Sequence, residues 1–148
     1  METINMKKIF KFDGFIRQML LSFVITLAVS IYFFISGADQ TYVMYIFGGL
    51  TIIAFVSLVA RFIYLLSFKP DSIELIEGKV ISTMYYRGTK RIKFGYKYQG
   101  VDYSKTNMIN YTKSFRSIEK ENLVDVYVKT EKPKQALLKD FYFETETL

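Results

Sequence analysis

The 148-residue chain contains no cysteine, no histidine and no tryptophan. Without cysteine there is neither a disulfide framework nor a thiolate nucleophile, and the redox compartment leaves no mark on the sequence. Without histidine the commonest general base and the commonest transition-metal ligand are both missing. Motifs with a stated mechanism are missing too: no Gly-rich phosphate loop, no metal-ligand spacing and no nucleophile elbow. The carboxylate pairs Glu74 with Glu77 and Glu119 with Glu121 have no supporting pattern and read as solvated surface groups. We therefore assign no catalytic residue, no metal ligand and no cofactor, and expect a protein that is not an enzyme. The aromatic load falls on 12 Tyr and 14 Phe, residues that suit half-buried strands and membrane interfaces.

Charge is missing where it matters most. From Gln18 to Ala38 there is no charged side chain, and from Gln40 to Ala60 there is none either. A helix rises about 1.5 Å per residue and a hydrocarbon core is about 30 Å thick, so each run is long enough to span a bilayer. Lys7, Lys8, Lys11 and Arg17 precede the first run, Arg61, Lys69 and Lys79 follow the second, and the turn Gly37-Ala38-Asp39-Gln40 carries no positive charge. The excess of cations on the outer flanks predicts a multi-pass hairpin in the cell's inner membrane with both termini cytoplasmic. A cleavable signal peptide ending at Ser36-Gly37-Ala38 is the rival, but the first apolar run is longer than such segments usually are. Arg61 falls about 30 Å along the second helix, where its side chain can snorkel to the headgroups. Pro70 discourages helix beyond Lys69.

Small residues recur on each run: Ser22, Thr26 and Ser30 on the first, and Gly48, Gly49 and Thr51 on the second. Such faces permit close approach, so the two helices are expected to pack there. The bland alternative is that the hydroxyls bond back to carbonyls of their own helix. The expected organisation is an amino-terminal arm over residues 1–14, a helical hairpin over 15–69 and a β domain over 70–148. The arm, Met6-Lys7-Lys8-Ile9-Phe10-Lys11-Phe12, is either a charged flank that fixes topology or a segment lying along the inner interface.

After Ser72 the hydrophobic period changes to two. Ser72–Glu77 and Lys79–Tyr86 read as one long strand bent or bulged at Gly78. Arg87-Gly88-Thr89-Lys90 reads as a turn. Ile92, Phe94, Tyr96 and Tyr98 then alternate with Arg91, Lys93, Gly95 and Lys97, giving an aromatic and a cationic face. Gln99-Gly100 is a tight hairpin turn into a strand from Val101 to Thr106, and Asn107–Arg116 a weaker strand followed by a loop. Leu123–Val128 is a strand with Val124, Val126 and Val128 on one side. Ala136-Leu137-Leu138 is a closing segment, and Phe141–Thr145 a last strand. The predicted fold is thus an α+β membrane protein: a two-helix hairpin followed by a small antiparallel all-β domain, a sandwich or partly open barrel. At about 77 residues the domain is small for a self-sufficient core, so the membrane, a second copy or a partner contributes to its stability.

The runs GKVISTMYYRGTKRIKFGYKYQGVDYS (Gly78 to Ser104) and LVDVYVKTEKPKQALL (Leu123 to Leu138) resemble the bacterial family catalogued as domain of unknown function 3592. The shared features are a Gly-Lys-Val opening, a Tyr-x-Tyr strand before a Gly turn and a late valine-rich strand. The family's Tyr-Asp-Pro-x-x-Pro-like ending is replaced here by Lys129-Thr130-Glu131, with only Pro133 kept. The resemblance covers residues 78 to 138 and implies architecture, membrane helices plus a small β domain, but no activity.

The net charge of +6 is concentrated in Lys79 to Lys113, where eight cations face Asp102 alone. The cationic strand face of Arg91, Lys93 and Lys97, with Lys90 beside it, is the candidate contact surface. It is a solvated face, a contact for anionic lipid headgroups, or a contact for an acidic protein partner. Nucleic acid is not an expected ligand, because a basic domain held at a membrane has a closer source of anions. The expectation is a membrane protein whose basic β domain mediates membrane-surface or protein–protein interaction, with self-association as one form of the latter. The alternative is an immunity protein protecting its own cell from a membrane-acting toxin.

Overall fold

A computed structural model describes residues 3–36, 41–86, 88–110 and 118–143. The chain divides into two compact units. Residues 15–65 form one, and residues 1–14 together with 66–148 form the other, so the amino-terminal arm belongs with the β domain and is not a separate flank.

The first unit is helical. Helix α2 (Gly14–Ser36) contributes all but its first residue, and helix α3 (Thr41–Leu66) all but its last. Both are long and apolar enough to cross a membrane by length and composition. Large side chains such as Phe34, Ile35 and Tyr45 are exposed along them. The sequence-predicted turn at residues 37–40 lies outside the described residues.

The second unit is a five-stranded antiparallel sheet curled into a half-barrel, in the order β3-β2-β1-β4-β5. Its strands are β1 (Ile73–Tyr86), β2 (Thr89–Tyr98), β3 (Val101–Asn110), β4 (Leu123–Lys129) and β5 (Ala136–Leu138). The long strand β1 serves two partners: Ile73 to Lys79 pair with β4, and Gly78 to Tyr86 pair with β2. The extra residue that bends β1 is Ile81, between Val80 and Ser82, and not Gly78 as the sequence predicts. Gly78 is needed for space, since a Cβ there would stand 2.9 Å from Val126 Cγ2 and 3.0 Å from the Gly95 carbonyl oxygen. The β2–β3 turn is as expected, with positive φ at Gln99 and Gly100 (48° and 82°), the backbone twist that suits a two-residue hairpin.

The core is the concave face. Val80, Ile92, Phe94, Tyr96, Ile109, Val126 and Val128 are buried along alternate strand positions. The curl brings the two outer strands together. Asn107 of β3 accepts a hydrogen bond through Oδ1 from the backbone N–H of Leu138 in β5, at 3.0 Å and fully buried. Two short helices pack onto this unit. Helix α1 (Met6–Phe12) starts at Asn5, whose side chain accepts from the Lys8 N–H, and buries Ile9 and Phe12. Helix α4 (Lys139–Tyr142) occupies ground where the sequence predicts a strand. Phe141 and Tyr142 in that helical turn and Phe143 just after it are all buried. The arm and the carboxy-terminal segment are stitched together: Asn5 N–H donates to the Tyr142 carbonyl (2.9 Å), Lys8 Nζ to the Phe143 carbonyl (2.6 Å), and the Tyr142 hydroxyl to buried Asp13 (3.1 Å). Residues 111–117, Arg87 and residues 144–148, which include parts of the predicted turn, loop and last strand, lie outside the described residues.

Candidate interaction surface

Alternation along β2 sorts its cations. Lys90 shares parity with Ile92, Phe94, Tyr96 and Tyr98, so it points into the barrel. It is 2% exposed, donates through Nζ to the Ile118 carbonyl and lies 4.9 Å from the Tyr85 ring centroid. Lys90 therefore does not belong to the cationic face. The period of two along β2 separates it from Arg91, Lys93 and Lys97, and its long apolar stem explains how it fits such a position.

Arg91, Lys93 and Lys97 lie together on the convex face and are exposed. Their surroundings differ. Lys97 stands opposite Asp102 in the register with β3. Arg91 stands between Met84 and Met108, and Lys93 between Ser82 and Thr106. Directly opposed charges on a sheet face offset one another. Arg91 and Lys93 face only neutral residues, so their charge is unoffset across the ladder.

Beside them the convex face has a hollow of about 760 Å³. It exists because Gly95 has no side chain and Ile81, displaced by the bulge, overhangs it: a Cβ on Gly95 would sit 3.1 Å from Ile81 Cδ1. Its walls carry Lys79, Lys97 and Lys120 against Glu77, Asp102 and Glu121, so it has no surplus of either sign. Lys79 and Glu121 are ion-paired. That bond, and then the ammonium's charge, hold the Glu121 carboxyl below its ordinary pKa. Glu121 reaches Lys79 from a left-handed backbone (φ 75°), pinned where its N–H donates to the Val80 carbonyl. Elsewhere, burial and then the Glu74 carboxylate push the Tyr98 phenol up, and burial followed by the neighbouring Lys132 pulls Lys129 down. Lys129 Nζ is 2.5 Å from Ser67 Oγ and 5.0 Å from the Phe68 ring centroid. Among the described residues no group of three or more acidic side chains is placed to share a metal.

The predicted helix-packing residues separate into two sets. Thr26 and Thr51 meet across the helices, hydroxyl to hydroxyl at 2.9 Å, beside a tilted Phe23–Phe55 ring pair 6.0 Å apart. Both threonines also reach carbonyls of their own helices, Thr26 that of Ser22 and Thr51 that of Phe47, while the Ser22 side chain is exposed. Gly48 and Gly49 have nothing within 4 Å of where a Cβ would be. With Ser30, Phe34, Met44 and Tyr45 they line an apolar gap of about 540 Å³. Ser30 Oγ has no hydrogen-bond partner among the described residues.

The signal that could have found the inward Lys90 was present as parity. The bulge at Ile81 had none, because Val80-Ile81-Ser82-Thr83-Met84 fits either face. Comparison with protein-family models, with curated proteins and with solved structures gave no match to this chain.

Proposed function

We propose that this chain is an integral membrane protein of non-enzymatic role, its two helices crossing the bilayer with both chain ends in the cytoplasm. Its β unit meets the anionic surface of the adjacent leaflet through Arg91 and Lys93. The observation that carries this reading is the register: both cations are exposed, and each has neutral residues on either side. Folding spends no charge there, so it is available to a ligand. Each cation near an acidic leaflet gains about 1 kcal/mol, so the pair gives about 2 kcal/mol, or roughly a 30-fold bias toward contact.

The chain has no cysteine, so Thr106→Cys, beside Lys93 in the ladder, provides a single labelling site. With the full chain in nanodiscs, labelling by a water-soluble maleimide is expected to be slower in anionic than in zwitterionic lipid. Salt near 1 M, where the Debye length is about 3 Å, should restore the rate. Adding Arg91→Glu and Lys93→Glu should abolish the difference. Equal rates in both lipids reject leaflet contact. Protection that is independent of lipid charge and appears only with membrane extract assigns the face to an acidic protein instead.

A further inference from the structure

The tip of the β1–β2 hairpin carries a second feature that the cationic face does not explain. Met84, Tyr85 and Tyr86 are consecutive and 62%, 56% and 49% exposed, an unusual concentration of large side chains in water for a domain otherwise well filled. Across the ladder Met84 stands next to Arg91 and Arg91 next to Met108, while Tyr86 stands next to Thr89. Met84, Tyr86 and Arg91 share the convex face and form an amphipathic set, apolar bodies, a phenol that tolerates headgroups and a guanidinium that pairs with phosphate, while Tyr85, opposite Lys90 in the register, projects from the other face of the same tip.

The location of the tip gives the set its meaning. A Cβ on Gly14, the first residue of α2, would lie 3.0 Å from Thr89 Cγ2 and 3.1 Å from Met108 Cγ. Asp13 bridges to Ile109, and Asn110, the register partner of Thr89, donates through Nδ2 to the Lys11 carbonyl at 3.0 Å. The hairpin tip is thus fastened to the residues from which the chain runs directly into its first apolar helix, and no charged residue follows Arg17 until after Ala38. Residues fixed at the start of a span are held at the level of the headgroups, where tyrosine belts anchor proteins.

We infer that the β1–β2 hairpin tip is a membrane-interface anchor, in which Met84, Tyr85 and Tyr86 enter the headgroup layer of the leaflet while Arg91 pairs with lipid phosphate. The occupant is lipid, because the tip is continuous with the start of a helix built for lipid and the Arg91 guanidinium on it complements phosphate. The inference rests on the reading of α2 as a membrane span. It differs from the electrostatic contact above in requiring penetration and not only proximity.

The chain has no tryptophan, so each single Tyr→Trp substitution creates the only indole present. The full chain carrying Tyr86→Trp, with Tyr85→Trp as a second reporter, is reconstituted into vesicles of phosphatidylcholine and phosphatidylglycerol, with or without acyl-chain bromination. Expected is a blue-shifted emission and a clear loss of intensity in brominated vesicles for both. Val101→Trp, exposed at the opposite end of β2 and about 30 Å from the tip, should show neither. Emission as red as that of Val101→Trp, with no quenching, overturns the anchor. Blue-shifted emission without quenching also overturns it, because protein and not lipid then covers the tip. Ile25→Trp in the middle of α2 separates the two levels of inference. If that indole is quenched and the tip is not, only the anchor fails; if Ile25→Trp is itself unquenched, the span fails and takes the anchor with it.

Discussion

The bond between Asn107 and Leu138 joins the first and last strands of the curled sheet, and replacing Asn107 by alanine is the most direct way to ask what keeps the half-barrel shut. Both residues are buried, and the Leu138 N–H has the Asn107 side-chain oxygen as its acceptor. Asn107→Ala leaves that donor in an apolar interior with nothing to bond. Stranding a buried donor costs about 1–3 kcal/mol, more than the net worth of an ordinary hydrogen bond, because the solvation of the amide is lost and not replaced. In terms of local opening this is about a 5- to 160-fold rise in the population that exposes the amide. Hydrogen exchange of the full chain in micelles, read at Leu138, should accelerate by that factor. Amides of the Gln99-Gly100 hairpin, far from the seam in register, should keep their rates. Urea unfolding followed on the sheet offers a second readout: with a slope of about 1 kcal/mol per molar, the midpoint should fall by about 1–3 M. Exchange at Leu138 within a factor of two of the parent, together with an unmoved midpoint, would refute the reasoning. Closure would then belong to side-chain packing around Leu138 and Ile92 and not to the bond.

Gly78→Ala should destabilise the β unit by about 1–3 kcal/mol, because the new methyl meets Val126 and backbone that cannot yield; Gly95→Ala, which meets only the end of the Ile81 side chain, should cost clearly less in the same urea titration. Glu121 is held below its ordinary pKa by Lys79, so the stability it contributes is present above the ordinary carboxylate range and is lost as pH falls through the lowered value. A carboxyl NMR titration of Lys79→Ala should show the Glu121 midpoint moving up toward its ordinary position, and an unmoved midpoint would deny the pair. In the helical unit, Thr26→Val and Thr51→Val should couple in a double-mutant cycle by about 0.6 kcal/mol, the usual size for such bonds between membrane helices. Thermal unfolding in micelles measures it, and strict additivity would mean each hydroxyl serves only its own helix.

Much of this architecture was written in patterns with a strong period. Two uncharged runs gave two long helices, and the strict alternation from Ile92 to Tyr98 gave a strand with one buried and one exposed face. What escaped was short or aperiodic. Helix α1 has seven residues, below the length at which a helix sustains itself, and it exists because Ile9 and Phe12 are buried in the fold. Phe141-Tyr142-Phe143 has the composition of a strand, yet its first two residues close a four-residue turn of helix too short to show a period. The same limit applies to the surface. Arg91 and Lys93 were legible as an exposed pair, but their lack of compensation depends on which residues of β1 and β3 lie opposite, and that register is set by a bulge the sequence does not announce. The glycines of α3 read as a packing seam, since small residues permit approach; permission is not force, and nothing lies within 4 Å of where a Cβ would stand on either of them.

The segment before the first apolar helix and the segment after the second fold into a single body, with Asn5, Lys8 and Asp13 bonded to Tyr142 and Phe143. That is a constraint of parity. A lone crossing would strand Asn5 and Tyr142 in different compartments, so whatever number of passages the intervening chain makes through a bilayer must be even. The rule holds whichever way the flanking cations would have pointed the chain. It also sets an order of assembly: the arm precedes the sheet in the chain, yet gains its bonds to Tyr142 and Phe143 only after the last strand has followed it.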